Sequence, residues 1–184
     1  MTNIYLKKLE KTVCVLFLGL VMISFSSSKA PGQIDTNAKI KSLFIYNFAK
    51  YVEWPGKMKD GDFVIGILGD HPTLHSELSK MAQTKTRGDQ SFKIENYKNA
   101  NEVSKCHILY IEATKSDQLQ NVVNDRSGKS TLIVGDGPGL AKQGAGISFY
   151  EMQSKQKMEI NPDNLEKYNL KVSSQLVALA TVVK

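Results

Sequence analysis

The sequence predicts an α/β fold, a single layered domain with a mixed, mostly parallel sheet flanked by helices. Three observations predict it. The continuous apolar run at 63–68 and the mostly apolar segments 106–111 and 131–134 have strand length, the pattern of strands covered on both faces. Segments with apolar residues three and four apart lie between and around them. Glycine-rich turns, Gly69-Asp70-His71-Pro72 and Gly135-Asp136-Gly137-Pro138-Gly139, follow two of the runs directly.

Residues 1–32 read as an export signal. Lys7, Lys8 and Lys11 form a basic head, 13–25 is an apolar run, and 26–32 is a small-residue stretch where a peptidase cuts, after Ser28 or Gly32. The run is shorter than the roughly 20 apolar residues of a membrane span. Cys14 opens the run instead of following it, which argues against a lipid anchor. The domain is therefore expected at 33–184, outside the cytoplasm and not inserted in the membrane after cleavage. Without the leader, 20 basic residues face 17 acidic ones. That balance is too weak for a nucleic-acid partner. Cys106 is then the only cysteine left, with no partner for an internal disulfide.

The stretch 38–55, AKIKSLFIYNFAKYVEWP, is the longest apolar pattern after the leader. Ile40, Leu43, Phe44, Asn47, Phe48 and Tyr51 predict one inward helical face, with Lys39, Tyr46, Lys50 and Glu53 outward. Asp35 is the expected N-cap, and Trp54-Pro55 closes the far end. A strand at 63–68 follows, then a helix over 73–83 with Pro72 in its first turn. The next strand, 91–97, alternates Phe92 and Ile94 with Lys93 and Glu95, as a strand near an edge does. After a polar turn at 99–105 come the strand 106–111 and a helix over 116–125 with Leu119, Val122 and Val123 inward. The strand 131–134 opens into the glycine loop, and 147–152 with 156–160 reads as an antiparallel hairpin. Asn161-Pro162 starts a helix to Tyr168, and 173–183 reads as the last helix, with Leu176, Leu179 and Ala180 inward.

Reactive constellations are sparse. The glycine loop fits neither GxGxxG nor GxxxxGK[ST], so turn formation is its ordinary reading, and a small anionic ligand at Gly69, Asp70, Gly135 and Asp136 is the functional one. His71 and His75 are four apart, but no third metal ligand has matching spacing. Cys106 and His107 are neighbours on a strand and point to opposite faces. No GxSxG elbow occurs. No catalytic residue, metal or cofactor is expected. Trp54 reads as a core corner or, if exposed beside Tyr51 and Pro55, as the centre of a partner-binding surface.

Four segments in order resemble the YfiR family of exported bacterial proteins: FIYNFAKYVEWP (44–55), FVIGILGD (63–70), CHILYIEATKS (106–116), and the tail from LIVGDGPGLAKQGAGISF (132–149) to MEINPDNLEKYNLKVSSQLVALA (158–180). The resemblance implies a periplasmic α/β domain, often a homodimer, that is not an enzyme. It implies binding to an inner-membrane signalling protein, a diguanylate cyclase or a sensor kinase, and repression of cyclic-di-GMP signalling and biofilm formation. The family's regulator carries paired cysteines where this chain has only Cys106, so redox control through an internal disulfide does not carry over. The alternative is a periplasmic small-ligand-binding sensory module.

Overall fold

The computed structural model describes residues 35–184, and the expected export signal at 1–32 lies outside the described residues. The first helix, α1 (Thr36–Tyr51), starts where Asp35 accepts a hydrogen bond from the Ala38 N–H. The two-residue strand β1 (Val52–Glu53) and a 3₁₀ turn at Gly56–Met58 lead into β2 (Phe63–Leu68). Helix α2 (Pro72–Ala82) has Pro72 in its first turn, where no N–H is needed. A short strand β3 (Thr86–Arg87) then turns back into β4 (Gln90–Tyr97). Strand β5 (Ile108–Ile111), helix α3 (Leu119–Arg126), strand β6 (Leu132–Asp136) and the hairpin β7 (Ile147–Met152) and β8 (Lys155–Ile160) follow. Helix α4 (Pro162–Lys167), strand β9 (Lys171–Val172), the single turn α5 (Ser174–Val177) and strand β10 (Thr181–Val182) complete the chain.

Eight strands form one sheet in the order β10-β8-β7-β6-β5-β2-β4-β3. The pairs β4/β2, β2/β5, β5/β6 and β6/β7 are parallel, and β7/β8 and β3/β4 are antiparallel. The five inner strands β4-β2-β5-β6-β7 follow the 2-1-3-4-5 order of doubly wound sheets, in which the order reverses beside the first strand. Strands β5 and β6 are buried along nearly all their length, as the mostly apolar segments require.

Three expectations are corrected. The inward face of α1 is Ala38, Lys41, Ser42, Ile45, Phe48 and Ala49, while Leu43 is 56% exposed. Lys41 lies outside the expected face, but its ammonium pairs with Asp136 at 2.8 Å, so the charge is buried with a partner and the inward face is rotated toward Lys41 and Ile45, with Phe48 still buried and Phe44 and Tyr51 half-buried. The final helix is one turn long, and Thr181 and Val182 pair in parallel with Glu159 and Ile160. The free edge of β8 supplies backbone hydrogen bonds to this β-branched tail. The loop expected before residue 91 contains β3, which makes β4 the second strand from the edge.

The hairpin turn at Gln153 and Ser154 has φ of 53° and 57°, both positive, as a two-residue type I′ connection requires. Ser130 also has positive φ, 56°, and its fully buried Oγ has no hydrogen-bond partner. A left-handed backbone and an unpaired buried hydroxyl both cost stability, and glycine removes both. Ser130→Gly is therefore expected to stabilise the protein by about 1 kcal/mol in urea titrations.

Candidate functional site

In-register pairing of Leu68 with Ile111, and of Ile111 with Gly135, puts the carboxyl ends of β2, β5 and β6 on one level. Gly69, Asp70, Gly135 and Asp136 therefore line one edge of the sheet, beside the point where strand order reverses. Each is engaged by the chain itself. Gly69 has φ of 127°, and a Cβ there would stand 2.7 Å from the Cβ of Glu112. The Glu112 carboxylate accepts from the Asp70 N–H at 2.9 Å and the Thr114 hydroxyl at 3.0 Å. Gly135 makes room for Leu140, whose Cδ1 would lie 2.7 Å from an added Cβ. In the glycine loop the Gly139 N–H donates to Glu159 Oε2 at 3.0 Å, and Ser148 donates to the same oxygen at 2.9 Å. Two N–H groups that would attract an anion thus hold the chain's own carboxylates.

Asp136 forms a largely buried polar cluster at this edge. Both its oxygens accept from Lys41 Nζ at 2.8 Å, and the Tyr110 hydroxyl donates to Oδ2 at 2.7 Å. Burial, and then the Asp136 charge, raise the Tyr110 hydroxyl well above its ordinary value, so it stays a donor. At the carboxyl ends of β2 and β4 an open cavity of about 510 Å³ is lined by Gly69, Asp70, Asn96, Tyr97, Lys98 and Lys115. The glycine loop itself is fixed from below: Asn161 and Asn164 both donate to the Ala141 carbonyl, Asn164 also to Ala145, and Tyr168 to Gly144. That accounts for the NPDNLEKY segment in physical terms.

At the other edge, Trp54 is 4% exposed, so it is a core residue and not a surface contact. Its ring meets Phe63 edge-on at 5.0 Å, and its Nε1–H donates to the His107 carbonyl at 3.3 Å. The Arg87 guanidinium covers it at 5.1 Å and closes the end of α1 by donating to the Ala49 carbonyl at 2.6 Å. Of the expected partner surface, Tyr51 and Pro55 are half-buried and Trp54 is buried. Sequence reasoning missed Arg87, because a single charge in a predicted loop carries no periodic signal.

His107 is buried between the same rings, stacked on Phe63 at 4.2 Å. Its Nδ1 accepts from the Val64 N–H at 3.0 Å, and its Nε2 donates to the Met58 carbonyl at 2.7 Å. Neither nitrogen is left to activate Cys106, whose thiol is pushed up to about 12 by burial. His71 caps α2 through Nδ1, and among the described residues no three His, Cys, Asp or Glu side chains are grouped for a metal. Burial holds His107 below the ordinary histidine pKa. The unfolded chain therefore takes up a proton near pH 6.5 before the folded one does, and stability present above that pH is lost as pH falls toward the depressed value. Unfolding free energy is expected to drop by up to about 1.4 kcal/mol per pH unit below pH 6.5. Urea titrations from pH 7.5 to 5 check this, and His107→Gln should flatten the slope.

The fold and its two edges define a doubly wound α/β domain whose strand-end glycines are filled by its own side chains. No helix among the described residues is long and apolar enough to cross a membrane. Residues 38–181 match a family described as YfiR/HmsC-like, and the chain belongs to that family. No curated protein matches the sequence.

Proposed function

We propose that this protein is a periplasmic regulator that binds an inner-membrane signalling protein, a diguanylate cyclase in the first instance, and holds it inactive, lowering cyclic-di-GMP. The observation that carries this reading is the family match, which spans residues 38–181 and so covers nearly all of the described fold. The self-filled strand ends support it, since an inhibitor that works by contact needs a rigid body more than an open reaction centre. Repression requires tighter binding to the partner's inactive state; moving a partner from almost fully active to almost fully inactive takes a preference of about 10⁴-fold. Cleavage of 1–32 delivers the domain to the periplasm, and Tyr51 and Pro55 are contact candidates. A homodimer and a sensor-kinase partner belong to the same proposal. The test is to co-express the chain with a diguanylate cyclase bearing a periplasmic domain and to measure cyclic-di-GMP. A fall with the chain present is expected, and equal levels with and without it overturn the reading.

One observation favours a second reading, a small-ligand-binding module: the 510 Å³ cavity with Lys98 and Lys115 on its wall. Gly69 and Asp70 line that cavity, whereas Gly135 and Asp136 are engaged by Leu140 and Lys41. Saturable binding of a small anion that Lys98→Glu abolishes is the result that would favour it.

A further inference from the structure

Directly after Pro55 the 3₁₀ turn Gly56–Met58 forms one wall of a second cleft, at the edge of the sheet opposite Asp136. The cleft measures about 480 Å³, and Lys57, Lys105, Arg126 and Lys129 contribute four cations to its lining, with no carboxylate. Its floor is apolar and buried: Met58 is 2% exposed and Val103 6%. Arg126 is spent on structure, donating to the Val103 and Ser104 carbonyls at 2.8 Å each. Asp125 pairs with Arg126 and, at 2.9 Å, with Lys129. Lys57 and Lys105 are exposed and carry no ion pair among the described residues.

The other wall is the turn that carries Gly128 and Lys129. Gly128 has φ of 70°, and Ser130, between the lining residues Lys129 and Thr131, has φ of 56° and a buried, unpaired Oγ. Left-handed backbone and an unpaired buried hydroxyl together are strain retained beside a surface that has excess positive charge. Counting Asp125 against the four cations leaves a local excess of three positive charges.

We infer that this cleft seats an acidic peptide segment of a protein partner. The volume suits a few extended residues and lies within the range of specific binding pockets. A single phosphate would leave most of it empty, and a flat bilayer surface cannot enter a concave cleft. Ammonium groups on flexible stems take carboxylates as point charges without demanding one fixed geometry, which suits successive Glu or Asp side chains. The identity of the partner as a membrane signalling protein rests on the function proposed above; the chemistry of the seat does not.

The experiment titrates the full mature chain with a synthetic Glu-Gly repeat peptide, with inorganic phosphate, and with phosphatidylglycerol vesicles, at low and high salt. Saturable, salt-sensitive peptide binding is expected, weakened about tenfold or more by the combined Lys57→Glu, Lys105→Glu and Lys129→Glu variant. The combined Lys85→Glu, Lys142→Glu and Lys155→Glu variant, reversed at exposed sites elsewhere, should bind as the parent does. If the reversed variant does not fold, Lys57→Gln, Lys105→Gln and Lys129→Gln serve in its place. No peptide binding, an equal loss in the control variant, or saturation by phosphate or vesicles without the peptide each overturn the inference. In cells, the cleft variant should fail to lower cyclic-di-GMP where the parent does, and equal lowering overturns the seat. If the parent itself lowers nothing, the proposed function falls, while the peptide titration still decides the cleft.

Discussion

Replacing Phe63 with alanine is expected to lower the unfolding free energy by about 4 kcal/mol, the largest single effect predicted for this chain. Phe63 is wholly buried and stands at the centre of an aromatic cluster. Trp54 meets it at 5.0 Å, Phe92 at 5.3 Å, His107 stacks on it at 4.2 Å, and the Arg87 guanidinium lies 5.3 Å from its centroid. Truncation removes the transfer free energy of the ring and leaves a cavity that rigid neighbours cannot fill, because Trp54 is tied to the His107 carbonyl and His107 to Met58 and Val64. Phe63→Leu keeps most of the volume and is expected to cost about 1.5 kcal/mol. The lone tryptophan reports unfolding directly, so urea titration by fluorescence separates the two variants. Equal losses would mean that the ring contacts carry the effect, whereas no loss in Phe63→Leu would mean that they add nothing beyond apolar volume. The cluster also holds the turn at Met58, whose carbonyl accepts from His107.

Removing the Asp136 carboxylate is expected to cost about 3 kcal/mol, because it leaves the Lys41 ammonium buried without a counter-charge. The side chains of the pair are only 11% and 17% exposed, so water replaces the lost partner poorly. Tyr110 loses its acceptor in the same step. The combined replacement Lys41→Met, Asp136→Leu and Tyr110→Phe removes every polar member together, and its stability should fall within about 1 kcal/mol of the parent. Thermal unfolding distinguishes these outcomes, since at roughly 2–4 °C per kcal/mol for a chain of this length Asp136→Ala should melt some 6–12 °C lower. If the apolar triple variant lost as much as Asp136→Ala, the ion pair itself would be net stabilising, and the account of why Lys41 turns inward would change from tolerance to driving force.

The sequence by itself determined the α/β class, the order of the main strands and helices, the caps of the first and fourth helices, and the hairpin near the end. Hydrophobic period and turn chemistry are local properties, and Phe63–Leu68 or Asn161-Pro162 declare them without reference to the rest of the chain. Gly69, Asp70, Gly135 and Asp136 were likewise legible as strand-end residues, because the loop after a buried strand follows from the strand.

What occupies those ends was decided only by tertiary structure. Glu112 reaches Asp70 and Lys41 reaches Asp136 across 42 and 95 residues of chain, and no periodicity encodes a partner at that distance. The phase of α1 was lost for the same reason: a lysine reads as solvent-facing until its carboxylate is known. Trp54 became a core residue because Arg87 and His107 close over it from two other elements. The last strand formed because β8 had an unpaired edge to offer. Local rules report what a segment prefers, whereas burial of a charge, a ring or a sheet edge depends on which groups the fold places beside it.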